Sequence, residues 1–113
     1  MNQPSDVPEI TPAELQARLE AGDVPVLVDV RETHERAIAD LPDHGQKHIS
    51  TREFPQRMHE LDPSDEIVLY CRSGGRSEWA ARVLLASGYE RVLNLSGGVL
   101  RWRTDVDPSL SAY

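Results

Sequence analysis

The sequence predicts an α/β domain with a largely parallel sheet. Short apolar runs, at 26–30, 67–70 and 92–95, indicate buried strands. Amphipathic stretches at helical spacing, such as 11–21 and 77–87, lie between these runs. Because strands that alternate with helices are typical of βαβ units, the strands are expected to lie parallel to one another.

In the N-terminal half, the clearest signal is the helix at 11–21. Thr11 is a predicted N-cap, Pro12 suits the first helical position and Glu14 completes a capping box. Gly22 then ends the helix. The other predicted elements of this half are a strand at 8–10, a strand at 26–30, a helix at 32–39, a loop at 40–46, a strand at 48–50 and a helix at 51–61 that Pro55 interrupts unless it begins there.

In the C-terminal half, the strand at 67–70 runs directly into Cys71. After a glycine-rich loop, a helix is predicted with Ser77 as its N-cap and Gly88 at its end. A strand at 92–95 and a Gly-Gly turn then lead into a last short helix.

Length and composition indicate one domain. A chain of 113 residues is too short for two independent cores. We expect a flexible N-terminal tail at 1–7, a domain at 8–104 and a C-terminal tail at 105–113.

Charge and cysteine content restrict the partners and the location. The net charge of −7 opposes contact with nucleic acid. No stretch approaches the roughly 18 apolar residues that a membrane helix needs, and the N-terminus lacks the apolar run of a secretory signal. A single cysteine leaves no internal disulfide and suits a reducing compartment. We therefore expect a cytoplasmic protein without nucleic-acid or membrane partners.

The candidate catalytic residues lie in the loop that follows the strand at 67–70. Its strand delivers Cys71 to the carboxyl edge of the sheet, and a helix begins directly after the loop. Glycines let the loop curl so that its N–H groups point inward, and the helix adds free N–H donors and the positive end of its dipole. We expect a nest that stabilises a thiolate or another sulfur anion. The predicted binding loop consists of Arg72, Ser73, Gly74, Gly75, Arg76 and Ser77.

Three motifs in this order resemble the rhodanese family. The segment CRSGGRS at 71–77 is similar to the family's active-site loop, and Asp29-Val30-Arg31 is similar to its DVR signature. Gly88-Tyr89, the strand at 92–95, and Gly97-Gly98 with Trp102 are similar to its C-terminal signature. The resemblance covers about 8–103. It implies a rhodanese-like fold, with a central parallel five-stranded sheet flanked by helices on both faces.

The resemblance also implies a sulfurtransferase. Cys71 would take sulfane sulfur from a donor such as thiosulfate as a persulfide, and pass it to cyanide, a thiol or a carrier protein. The backbone N–H groups from Arg72 to Ser77 would cradle the persulfide. Asp29 and Arg31 would brace the loop, unless they form a mere surface ion pair. The two loop arginines are expected to attract an oxyanion donor.

The same resemblance suggests partners. With no second cysteine, the persulfide must leave by attack from another molecule. The tail at 107–113 resembles the end of rhodanese domains fused to enzymes that activate ubiquitin-like sulfur carriers. A cysteine desulfurase or such a carrier is therefore a candidate partner, beside small-molecule thiosulfate or persulfide. The four histidines lack metal-ligand spacing with Cys71, and no metal or cofactor is expected.

One segment departs from the family, and two other functions stay open. Residues 41–49 are longer and more polar than the family's usual H-x-P-G-A segment, which leaves the third strand and one wall of the entrance uncertain. A cysteine-based phosphatase or arsenate reductase would place five residues between cysteine and arginine, whereas four separate Cys71 from Arg76. A non-catalytic binding or regulatory module of the same fold would usually lack the cysteine.

Overall fold

Five parallel strands form the centre of the structure, a computed structural model that describes residues 7–113. Their order across the sheet is β1-β5-β4-β2-β3. Each neighbouring pair is parallel, with Asp29 of β2, for example, opposite Tyr70 of β4. The strands are β1 Glu9–Ile10, β2 Val26–Asp29, β3 Lys47–His48, β4 Ile67–Tyr70 and β5 Val92–Leu95.

Helices cover both faces of this sheet. The core divides into two clusters: one includes Phe54 and Leu84 from α3 and α4, and the other Leu15 and Trp102 from α1 and α5. The helices are α1 Pro12–Glu20, α2 Thr33–Ile38, α3 Phe54–Arg57, α4 Gly75–Ala86 and α5 Gly98–Asp105. This architecture confirms the predicted fold class.

Strand β4 shows why the apolar runs predict buried strands. Ile67 and Leu69 point into one core cluster, whereas Val68 and Tyr70 point into the other. All four residues are buried because both faces of a parallel sheet are covered by helices, so the sequence is continuously apolar instead of alternating.

Most predicted elements are present, with shifted ends. The capping box of α1 is confirmed, since Thr11 Oγ1 accepts from Glu14 N–H at 3.1 Å and Glu14 Oε1 accepts from Thr11 N–H at 2.9 Å. The third strand spans Lys47–His48, so it begins one residue earlier and ends two residues earlier than the predicted strand at 48–50. The segment at 51–61 is not one helix, because the short α3 is flanked by 3-10 turns at Thr51–Glu53 and Met58–Glu60.

The two ends of the domain also differ from the expected boundaries. Of the predicted N-terminal tail, residues 1–6 lie outside the described residues, and Val7 is buried in the core at 4% exposure. At the other end, Val106, Leu110 and Tyr113 pack against the core cluster that contains Trp102. The C-terminal tail therefore folds back onto the domain. Within residues 7–113, none of the helices has the length and apolar character required to cross a membrane.

Candidate active site

Cys71 directly follows β4, at the carboxyl edge of the sheet where α/β proteins bind their ligands. Helix α5 fixes its main chain: Val99 N–H donates to the Cys71 carbonyl at 2.9 Å, and Leu100 N–H donates to the Arg72 carbonyl at 3.0 Å. The cysteine is only 1% exposed. Two carbonyl groups at the start of the loop are thus held by the first turn of the last helix.

The thiol lies at the N-terminal end of helix α4. Gly74 N–H donates to Cys71 Sγ at 3.1 Å. The N–H groups of Gly75, Arg76 and Ser77 belong to the first turn of this helix and have no intrahelical acceptor. The predicted ring of amides is therefore present in part: one amide contacts the sulfur, and the next three stand at the positive end of the helix dipole.

Only one of the two loop glycines needs the conformational freedom of glycine. Gly74 has a φ of +112°, which side chains rarely adopt. Gly75 has an ordinary φ, and a Cβ there would meet no atom within 4 Å. The expectation that both glycines allow conformations forbidden to other residues is wrong for Gly75, because the chain turns at Gly74 and is already helical one residue later.

Ser77 is not the N-cap of α4. The helix begins at Gly75 with Gly74 as its cap, so Ser77 lies inside the first turn and is fully buried. Its hydroxyl is 2.6 Å from Asn94 Oδ1 and 3.4 Å from Cys71 Sγ. Since a hydroxyl has one proton, the shorter contact with Asn94 takes it and leaves the sulfur to the Gly74 amide.

Asn94 belongs to the C-terminal signature seen in the sequence, but sequence reasoning assigned it no role at the site. It lies on β5 with 2% exposure. Its Nδ2 donates to the Gly74 carbonyl at 3.1 Å, while its Oδ1 accepts from Ser77. One side chain thus fixes both the turn and the first helical turn beside the thiol. The available signal was an amide in the otherwise apolar strand Val92–Leu95, because buried amides are generally retained for their hydrogen bonds.

Both loop arginines are engaged by protein groups. Arg76 donates to the two carboxylate oxygens of Glu35 at 2.7 and 2.9 Å. Arg72 donates through Nε to the Tyr113 carbonyl at 2.7 Å, and through Nη2 to the same oxygen. The hydrogen bond to Glu35 is the main reason that the pKa of Arg76 is raised, and the electrostatic interaction with nearby Cys71 adds to it. Each arginine therefore has one of its two bidentate edges occupied: the Nη1/Nη2 edge of Arg76 by Glu35, and the Nε/Nη2 edge of Arg72 by the Tyr113 carbonyl.

Asp29 and Arg31 form a buried ion pair, so the alternative of a surface pair is wrong. Both side chains have 0% exposure, and Arg31 donates to the Asp29 carboxylate at 3.0 and 2.8 Å. Arg31 also donates to the Tyr113 hydroxyl at 2.7 Å, and that hydroxyl donates to Glu35 at 3.1 Å. Through Tyr113 the pair is connected to both loop arginines, since the Tyr113 carbonyl accepts from Arg72 and Glu35 accepts from Arg76.

The assignment to a protein family rests on most of the chain and not on the cysteine loop alone. The family model described as "Rhodanese-like domain" matches residues 11–105. The chain belongs to the rhodanese-like family. The membership predicted from the three sequence motifs is thereby confirmed.

Relatives of this rhodanese-like domain are named for sulfur transfer. A sulfurtransferase from Allochromatium vinosum is 41% identical over 96 residues, 85% of this chain and 88% of the relative. The putative sulfurtransferase YtwF from Bacillus subtilis is 35% identical over 103 residues, 91% and 97% of the two chains. The solved structure of the human single-domain sulfurtransferase TSTD1 has a TM-score of 0.72 at 25% identity, covering 88% of this chain and 97% of that one. These relatives support a sulfurtransferase activity.

The segment in which this rhodanese-like chain departs from the family pattern still supplies a third strand. Lys47 and His48 pair with Val28 and Asp29 of β2. The His48 ring contacts the Arg31 carbonyl through Nε2 at 2.6 Å. The longer and more polar loop therefore ends in a strand that flanks the buried ion pair.

Glu35 is another residue of this rhodanese-like site that sequence reasoning missed, and we expect it to make stability depend on pH. Its hydrogen bonds from Arg76 lower the pKa of the carboxyl from 4.5 to about 2. A lowered pKa stabilises the fold fully above about pH 4.5, and the contribution is lost as the pH falls towards 2. Glu35→Gln should therefore lower the free energy of unfolding by about 2–3 kcal/mol at pH 7 and by much less near pH 2.5.

Urea unfolding of wild type and Glu35→Gln at several pH values measures this difference. Glu60→Gln is the matched control, because Glu60 pairs with Arg57 on an exposed surface where ion pairs contribute little. A Glu35→Gln effect that is the same at pH 7 and pH 2.5 would contradict the assignment.

Proposed function

We propose that this protein is a sulfurtransferase that carries sulfur on Cys71 as a persulfide. The single observation that carries the proposal is the position of Cys71 Sγ, 3.1 Å from the Gly74 N–H and at the start of helix α4. A cysteine at a helix N-terminus is stabilised as the thiolate, which is the nucleophilic form. The proposed donor is thiosulfate or a persulfide, and the acceptor is cyanide, a thiol or a sulfur-carrier protein.

The transfer takes place in two displacements. The Cys71 thiolate attacks the sulfane sulfur of thiosulfate, a new S–S bond forms, and sulfite leaves with the electron pair of the broken S–S bond. An acceptor nucleophile then attacks the outer sulfur and returns Cys71 as a thiolate. No external oxidant or reductant is needed, since the sulfur passes from one nucleophile to another.

The first turn of α4 suits the persulfide better than the bare thiol. The outer sulfur lies about 2 Å beyond Sγ, where the free N–H groups of Gly75, Arg76 and Ser77 can donate to it. A negative charge at a helix N-terminus is stabilised by about 0.3–1 kcal/mol, and by about 2 kcal/mol where it is partly buried. These three amides do not contact the thiol sulfur, but they would stabilise the charge of the persulfide.

The donor must reach a nearly buried sulfur. Cys71 is 1% exposed, and a cleft of about 310 Å³ is lined by Thr51, Arg52, Trp79 and the loop residue Arg76. Because Arg76 belongs both to the loop and to this cleft, we propose the cleft as the entrance. A donor then displaces side chains at its inner end before it contacts the sulfur.

The proposed partners are those of a sulfur relay. With a single cysteine, the chain must hand its sulfur to another molecule. A Bacillus subtilis relative named putative sulfur carrier protein YrkF is 36% identical, and the match spans 52% of its length. An Ogataea parapolymorpha relative named adenylyltransferase and sulfurtransferase uba4 is 30% identical over 24% of its length. They support a carrier protein as acceptor; the cytoplasmic location stays a prediction.

Mass spectrometry after incubation with thiosulfate tests the proposal. We expect the peptide that contains Cys71 to gain one sulfur atom, and cyanide to remove that atom as thiocyanate. A folded protein that gains no sulfur from thiosulfate or from a persulfide donor would overturn the proposed function. Hydrolysis of a phosphate ester would instead favour the phosphatase alternative, although Glu35 already occupies the Nη1/Nη2 edge of Arg76.

A further inference from the structure

Tyr113 connects the C-terminal tail to Arg72 of the cysteine loop directly, and to Arg76 through Glu35. Its ring lies 5.2 Å from the Arg72 guanidinium and 6.0 Å from that of Arg31. Its carbonyl accepts from Arg72, and its hydroxyl contacts Arg31 and Glu35. Tyr113, 42 positions after Cys71, thus contacts the charged side chains that lie around the cysteine loop.

Tyr113 contacts the Arg72 guanidinium on two sides, and we call this arrangement the clasp. The Tyr113 ring stacks against its guanidinium while the Tyr113 carbonyl occupies its Nε and Nη2 groups. These two groups form one of the forks with which arginine binds planar or tetrahedral oxyanions. Since Arg72 directly follows Cys71, its side chain would otherwise be within reach of an oxyanion bound at the sulfur.

Arg76 is held more indirectly by the same residue. The Tyr113 hydroxyl donates to Glu35 Oε1 at 3.1 Å, and Arg76 donates to the same oxygen at 2.9 Å. Tyr113 therefore supports the carboxylate that holds the second arginine away from an incoming anion.

We infer that Tyr113 determines donor specificity: it occupies one hydrogen-bonding fork of Arg72 and supports the Glu35 carboxylate that occupies one fork of Arg76, and so weakens the binding of small dianionic donors. This inference rests on the proposed function. It predicts a site that discriminates against thiosulfate relative to donors with less charge. Releasing the clasp should improve recognition of the dianion and leave the chemical step at Cys71 unchanged.

The clasp depends on the Tyr113 side chain. Upstream in the tail, Leu110 packs on the core and its carbonyl accepts from Arg103 at 2.7 Å. Between Leu110 and Tyr113, the described structure shows no hydrogen bond from Ser111 or Ala112. Removing the aromatic ring and hydroxyl therefore frees residues 111–113, and with them the Tyr113 carbonyl that holds Arg72.

Two donors that differ by one charge test the inference. Thiosulfate is a dianion, and methanethiosulfonate is a monoanion with the same sulfane sulfur; attack by Cys71 releases sulfite from the first and methanesulfinate from the second. In Tyr113→Ala we expect the KM for thiosulfate to fall about fivefold, as one new charge-assisted contact would give. The KM for methanethiosulfonate should fall about twofold or less, and kcat for both donors should stay within about twofold.

A double-mutant cycle with Arg72→Ala identifies the residue responsible. In the Arg72→Ala background, the Tyr113→Ala substitution should improve the KM for thiosulfate by no more than about twofold, the part that acts through Glu35 and Arg76. Tyr113→Phe keeps the ring over Arg72 but loses both hydroxyl contacts, so the KM for thiosulfate should fall in the same direction by about twofold. This variant also tests the inference if Tyr113→Ala does not fold.

The outcomes separate this inference from the proposed function. If the wild type takes no sulfur from either donor, the proposed function fails. If the wild type is active but Tyr113→Ala and Tyr113→Phe change both donors equally, or neither, Tyr113 has only a structural role and the inference is overturned.

Discussion

Cys71→Ser is expected to lower sulfur transfer by at least about a thousandfold, the scale of loss seen when a nucleophile is removed. A serine hydroxyl at this position is a far weaker nucleophile than a thiolate and cannot hold sulfane sulfur as a persulfide. The chain has one cysteine, so no second thiol can substitute for it. The rate of thiocyanate formation from thiosulfate and cyanide measures the loss, and the absence of sulfur on the isolated peptide confirms its cause.

The fold should survive this substitution. Serine is nearly isosteric with cysteine, and its hydroxyl can accept the hydrogen bond from Gly74 N–H that the sulfur accepts now. Unfolding temperatures of wild type, Cys71→Ser and Cys71→Ala provide the control. Turnover within about tenfold of wild type in a folded serine variant would remove Cys71 from the mechanism.

The fold class and the position of Cys71 beside a helix N-terminus could be predicted from local sequence. Short continuous apolar runs such as Ile67–Tyr70, separated by stretches at helical spacing, favour strands in a sheet that is covered on both faces, which is typical of an α/β architecture. Cys71 stands out because a glycine- and arginine-rich loop follows it and a helix begins after the loop. These signals lie within a few residues of one another and do not depend on long-range packing.

The rest of the site depends on contacts between residues that are distant in sequence. Glu35 and Arg76 are 41 residues apart, and Tyr113 and Arg31 are 82 apart. No local pattern shows that the loop arginines are engaged by these groups rather than free to bind a donor. The predicted N-cap at Ser77 is wrong for a related reason: serine is a good cap locally, but its hydroxyl is used by Asn94 on the neighbouring strand.

Gly98→Ala is expected to displace the cysteine loop, because Gly98 lies at the start of α5 and packs against the Cys71 and Arg72 carbonyls. Gly98 has a φ of +62°, and a Cβ there would lie 2.5 Å from the carbonyl oxygens of both Cys71 and Arg72. These oxygens belong to main chain that Val99 and Leu100 hold by hydrogen bonds, so they cannot move without breaking the contact between α5 and the loop. The left-handed conformation costs about 1–2 kcal/mol for a residue with a side chain, and the close contact adds about 1–3 kcal/mol.

We therefore expect Gly98→Ala to lower the free energy of unfolding by about 3 kcal/mol and sulfur transfer by about a hundredfold, the penalty for a displacement of about 1 Å in a reacting group. Gly22→Ala is the matched control: its φ is +80°, but a Cβ would meet no atom within 4 Å. The control should lose about 1 kcal/mol of stability and retain its activity. Equal stability losses in both variants, with sulfur transfer unchanged in each, would mean that the approach of α5 to the Cys71 carbonyl does not position the sulfur.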